Sequence, residues 1–175
     1  EVVRFEVLCR TRGQTRADSS GSYDVCGVPT GVSLRIRAAT DSSATGLIDL
    51  LARGARVQRR DLVVGRIAQT DSIPRGTIAG LVTDTAGTPV PDARIVVDDV
   101  PEIRSGANGR FVMPGVPAGS RQVEVLALGR LPVLAVLDVP PNDTVALAAQ
   151  LRPVTLLDAV HVRAMDEQGN SRVIE

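Results

Sequence analysis

The stretch GTIAGLVTDTAGTPVPDARIVVDD, residues 76–99, decides how the rest of the chain reads. Small and β-branched apolar residues fill 76–84, Gly and Pro punctuate 85–93, and a second apolar run follows at 94–99. Val and Ile pack well on a pleated surface, whereas Gly and Pro interrupt a hydrogen-bonded ladder, so the pattern predicts strand, loop, strand. The alternation continues downstream. After the turn-rich PEIRSGANG (101–109), a strand is expected at 110–116, a tight turn at Pro117, Ala118 and Gly119, and a strand at 121–128 with Val123 and Val125 on one face. Two more are expected at 132–139 and 143–151. About six or seven short strands, with turn signals about every 8 to 12 residues, predict an all-β sandwich.

The first half repeats the second without its opening. GSYDVCGVPTG (21–31) and GRFVMPGVPAG (109–119) lie 88 residues apart and coincide at five of eleven positions, four of them Gly or Pro. In that register VRFEVLCR (3–10) corresponds to the second strand of the later copy, 21–28 to the third, Pro29, Thr30 and Gly31 to the turn, and 32–38 to the fourth. Residues 43–65 then supply the closing strands. Residues 47–56 also fit a short helix, because Leu47, Ile48, Leu50 and Leu51 could form an apolar face; the repeat register favours strand. Nothing before Val3 corresponds to residues 76–93, so the first copy lacks its opening strand, and an unpaired sheet edge invites another strand. Three outcomes are open: the protein continues upstream, which we favour, the copy manages with fewer strands, or another segment fills the place. The expected organisation is two tandem small Greek-key sandwiches, Ig-like in build, at 1–66 and 76–153, a polar linker at 67–75, and a C-terminal strand or tail at 154–175.

Composition narrows function by exclusion. All 20 basic residues are arginine, which removes Schiff-base, P-loop and isopeptide lysine chemistry. Net charge is zero and no basic run tracks a phosphate backbone, which argues against nucleic acid. No run of about 18 apolar residues is present, so no membrane-spanning helix is expected. The three aromatics, Phe5, Tyr23 and Phe111, fall at inward strand positions, leaving none for stacking on a sugar ring. A single histidine, His161, cannot by itself build a zinc site or a Ser-His-Asp triad. The acids are spread over loops; VDDVPE (97–102) comes nearest to an oxygen cage and reads better as a solvated turn. No catalytic residue, metal ligand or cofactor site is expected, and the chain is not expected to be an enzyme.

The opener G-x-V-x-D-x-x-G-x-P-V-x-x-A at 80–93 and the centre x-G-x-F-x-x-x-x-V-P-x-G at 108–119 resemble the carboxypeptidase regulatory-like domains of bacteria, which have a transthyretin-like, prealbumin-type β-sandwich fold. The second copy carries both motifs and the first only the centre. The tail segment LLDAVHVRA (156–164) is similar to the stretch that follows such a domain in TonB-dependent outer-membrane receptors, with Ala159, His161 and Arg163 as departures. The resemblance implies a non-catalytic, extracytoplasmic accessory module (periplasm, outer membrane or secreted). It implies protein partners: the rest of a receptor, or an energy-coupling partner pairing as an added strand with Leu157, Asp158, Val160 and Val162. Carbohydrate binding is the alternative, because folds of this group are often catalogued as carbohydrate-binding-like. An extracytoplasmic address also makes Cys9 and Cys26 candidates for a disulfide, since the register puts them near the ends of neighbouring strands.

Overall fold

The computed structural model describes residues 2–7, 11–29, 31–51, 58–65, 74–154, 163–165 and 171–173, and among these every regular element is a strand. The second half is a two-sheet sandwich. One sheet holds β5 (Arg75–Asp84) between β8 (Arg110–Pro117) and β11 (Thr144–Leu151). The other runs β10 (Val133–Val139), β9 (Gly119–Leu126), β6 (Arg94–Val97), β7 (Ile103–Arg104). β5 is antiparallel to β8 and parallel to β11, and is therefore the strand on which its sheet depends.

Period-2 alternation explains the packing. Ile78 and Val82 on β5, Phe111 and Met113 on β8, Ile95 and Val97 on β6, Val123 and Val125 on β9, and Leu147, Ala149 and Leu151 on β11 all turn into one core. Gly80 sits between Leu147 and Phe111 in the register, and it must be glycine. A Cβ there would come within 2.7 Å of Phe111 Cε1 and Cζ and would overlap the Leu147 carbonyl oxygen.

The first half contributes a four-stranded sheet ordered β2 (Thr11–Arg16), β1 (Val2–Val7), β3 (Ser33–Ala39), β4 (Ile48–Leu51). This order matches β7-β6-β9-β10 strand for strand. Backbone conformation repeats too: Gly21, Gly27 and Gly31 have φ of 84°, 75° and 78°, and Gly109, Gly115 and Gly119 have 72°, 74° and 104°. Turns 18–22 and 106–110 close with the same pair of backbone bonds, Asp18 N to Ser22 O with Gly21 N to Asp18 O, and Gly106 N to Arg110 O with Gly109 N to Gly106 O. Past Gly31 the spacing grows by one residue, so that Leu34 and Ile36, buried on β3, take the places of Val123 and Val125.

Three expectations need correction, and one strand carries no signal in the sequence. Residues 21–28 form no strand, although their later counterpart is β8. The cause lies in hydrogen bonding: β8 is held by β5, and no strand among the described residues offers 21–28 the same support. Tyr23 accordingly lies half-buried in a loop, its hydroxyl donating to Arg60 O at 2.7 Å, while Phe111 is a buried strand residue. The segment TRGQTR, to which the repeat register assigns nothing, is strand β2, because pairing with β1 outweighs its polar, glycine-containing composition. Finally, Pro117, Ala118 and Gly119 make no hairpin turn; the chain crosses there from one sheet to the other. Strand at 48–51, favoured over a helix, is observed, and Phe5 stands in β1 opposite Ile36.

Candidate interaction surfaces

The first half does not stand apart from the second. Its small core of Leu34, Ile36 and Ile48, with Val28, Val32, Leu50 and Leu62 against it, uses Val136 of β10 as part of its lining. Val136 faces away from the sandwich core because Val133, Ala135 and Leu137 take the inward positions of β10. The two faces of β10 therefore serve two cores, one each.

Polar contacts fix this joint around the start of β9. Val64 bridges Gly119, Ser120 N donates to Val63 O at 2.7 Å, Val63 N donates to the Ser120 hydroxyl at 2.7 Å, and Gly46 N donates to Ser120 O at 3.0 Å. Gly119 permits the approach: a Cβ would lie 2.7 Å from Val63 O and 2.8 Å from Gly65 N. Asp49 N donates to Gln122 Oε1 at 2.7 Å and Gln122 Nε2 returns a bond to Asp49 Oδ2 at 3.1 Å, while Arg35 Nε pairs with Asp49 Oδ1 at 2.8 Å. Burial alone would raise the Asp49 pKa, but the bonds from Arg35 and Gln122 outweigh it and hold the carboxyl below its ordinary value.

Arg121 is the most unusual group at the joint. Only 4% of it is exposed, and among the described residues no carboxylate lies within hydrogen-bonding reach of it. Its guanidinium donates to three carbonyls instead: Pro117 O at 2.9 Å, Ala118 O at 3.1 Å and, across the joint, Ala44 O at 3.0 Å. Burial depresses its pKa, yet arginine keeps its charge in proteins. A planar fork of donors suits three carbonyls at the corner where the chain leaves one sheet for the other.

A second surface lies at the β9–β10 connection. Leu128 is fully exposed, Leu131 and Val154 are about half exposed, and two backbone bonds tie the loop to the end of β11: Leu131 N to Arg152 O and Val154 N to Gly129 O. The three apolar side chains stand where the chain departs for its C-terminal segment.

The sites expected from sequence are only partly visible. Cys26 is exposed on the β2–β3 connection, not on a strand, and Cys9 lies outside the described residues. Leu157, Asp158, Val160, Val162 and His161 also lie outside them; the next described pieces, β12 (Arg163–Met165) and β13 (Ser171–Val173), pair antiparallel. In VDDVPE, Glu102 is engaged by Arg94, and Asp98 and Asp99 are exposed. Among the described residues no three His, Cys, Asp or Glu side chains come together as metal ligands, and no helix is long and apolar enough to cross a membrane, which says nothing of a β-barrel. Sequence reasoning missed the joint altogether, since Ser120, Arg121 and Gln122 read as ordinary strand residues.

A seven-strand sandwich with one parallel pair, opened by a Gly-rich central strand, is a prealbumin-type β-sandwich. Residues 77–152, most of the second half, match the carboxypeptidase regulatory-like domain. No match is found among curated protein sequences. Among solved structures the chain is similar to a type II Cohesin-X-Dockerin complex from Acetivibrio cellulolyticus, at 13% identity and TM-score 0.39, over 45% of this chain and 58% of that one. It is also similar to 3-chlorocatechol 1,2-dioxygenase from Rhodococcus opacus 1CP, at 13% identity and TM-score 0.39, over 80% of this chain and 73% of that one. A third likeness is to the Bacillus anthracis TIE protein, at 10% identity and TM-score 0.41, over 98% of this chain and 38% of that one. These are distant likenesses, and no role passes from them to this chain.

Proposed function

We propose that this protein is a non-catalytic, extracytoplasmic accessory module that works through protein contacts. The observation that carries the reading is the joint: a regulatory-like domain spends one face of its β9–β10 ladder on binding another β-unit. The more specific form of the reading is the N-terminal extension of a TonB-dependent receptor, with Leu157, Asp158, Val160 and Val162 adding as a strand to an energy-coupling partner. Calorimetric titration of the full chain with the C-terminal domain of such a partner tests it. Saturable binding that Val160→Pro abolishes is expected, because proline removes a ladder donor; no heat at millimolar partner removes the receptor reading. A glycan array with reproducible binders would instead favour the carbohydrate reading.

The same address makes a Cys9–Cys26 disulfide part of the proposal. Closing a loop of that size contributes about 3 kcal/mol in the chain-entropy account. In protein secreted through an oxidising compartment, denatured and left unreduced, neither thiol should alkylate. Two alkylated cysteines would show that the pair is not bonded.

A further inference from the structure

We infer that the first half of this protein accepts a β-strand from a partner polypeptide, and that the strand must carry a glycine where it passes Tyr23. The inference goes beyond the accessory reading and does not depend on a receptor following the chain. Its basis is the repeat. The sheet β2-β1-β3-β4 reproduces β7-β6-β9-β10, but the described residues of the first half hold no counterpart of the sheet β11-β5-β8. The two segments that should flank a central strand are nevertheless present. Residues 21–29 repeat the start and the glycine geometry of β8, and residues 58–63 follow β4 as β11 follows β10.

Among the described residues these flanks carry no ladder, and the one carbonyl with a partner, Arg60 O, is met by a side chain, Tyr23. Among the described residues, no backbone-to-backbone hydrogen bond involves 23–29 or 58–62. Val28 and Leu62 are drawn onto the small core, yet Tyr23, Val25, Val28 and Leu62 all stay partly exposed, unlike Phe111, Met113, Val116 and Leu147 in the complete sandwich. Rows of unpaired N–H and C=O beside half-covered apolar side chains are what strand addition completes.

Tyr23 sets the sequence rule. It occupies the place of Phe111, whose ring end lies 2.7 Å from where a Gly80 Cβ would be, beside the Leu147 carbonyl. Tyr23 makes the equivalent reach, its hydroxyl 2.7 Å from Arg60 O on the opposite flank. A strand laid between the flanks passes this ring as β5 passes Phe111, and only glycine leaves room there. The occupant is thus a β5-like partner strand, running antiparallel to 21–29 and parallel to 58–63, with small or β-branched apolar residues two positions either side of the glycine. The chain's own segment 155–162 contains no glycine and does not meet the rule.

The probe is a synthetic decapeptide of the β5 sequence, RGTIAGLVTD, and its counterpart with valine at the second glycine, added to the full chain. Tyr23 is the only tyrosine, there is no tryptophan, and neither peptide carries either residue, so Tyr23 emission reports on the slot. We expect saturable binding of the glycine peptide, slowed amide exchange in both 23–29 and 58–62, and at least about tenfold weaker binding of the valine peptide. Tyr23→Ala, which carries no tyrosine and is therefore titrated by calorimetry alongside the parent chain, should restore the valine peptide to within about threefold of the glycine one, as removal of the ring removes the clash. The inference is overturned if millimolar glycine peptide protects neither segment, or if both peptides bind the parent chain equally. It is overturned equally if the peptide-free protein already shows both segments protected, whether monomeric, with another stretch of its own polypeptide, upstream or downstream, in the slot, or as a dimer, with a second copy there.

Discussion

Replacing Arg121 with Ala is expected to lower stability by about 3 kcal/mol and the midpoint of thermal unfolding by about 6 to 12 °C. The residue is almost wholly buried and satisfies three carbonyls, two at the sheet-to-sheet crossing and one from Ala44 in the first half. Alanine leaves the buried Pro117 and Ala118 oxygens, and the half-buried Ala44 oxygen, without this donor, which costs more than the bonds themselves contribute. Arg121→Lys should recover less than half of the loss, because an ammonium carries charge without the planar fork that reaches both halves at once. Limited proteolysis separates the two parts of the effect: cleavage within 40–65 should rise before cleavage within 76–152. An Arg121→Ala protein within 1 kcal/mol of the parent would show that the joint does not depend on this side chain.

The parts of the fold legible in sequence were those written in backbone-determining residues. Gly21, Gly27 and Gly31 announced positive φ, and so did Gly109, Gly115 and Gly119, which is why the repeat could be placed before any strand was seen. Alternation at 76–84, 94–97 and 144–151 located strands because each has one face in the core. What failed was inference from a residue's likeness to its repeat partner when its neighbours differ. SYDV has the alternation of a strand, yet a strand requires a ladder, and the sheet that holds RFVM has no equivalent for it among the described residues. TRGQTR is the opposite case, poor in strand formers and so without a strand signal, and fixed as β2 by its pairing with β1. The joint was illegible for a third reason. Arg121 in a polar-looking RQVEV carries no local mark of burial; that follows only from the docking of residues 44–46 and 63–65 on it.

Gly80→Val should have the largest effect of any single substitution here, above about 3 kcal/mol, with both halves lost together. The valine branch would be driven into Phe111 on one side and the Leu147 backbone on the other, in the central strand of its sheet, where neither β8 nor β11 can move away without giving up its ladder. Adding Phe111→Leu should recover part of the loss and no more, because the clash with the Leu147 carbonyl is with backbone; the double-mutant cycle measures that share. The consequence for the first half follows from Val136. A second half that unfolds takes away the wall against which Leu34, Ile36 and Ile48 pack, so Tyr23 emission should change in the same transition. The reverse coupling should be weak: Ile48→Ala loosens a core of three buried residues while leaving the fifteen of the sandwich in place, and should move the Tyr23 transition well below the exchange-detected melting of β5. Coincident transitions in Ile48→Ala would show that the halves support each other equally; separate transitions in Gly80→Val would show that the first half needs no wall from the second.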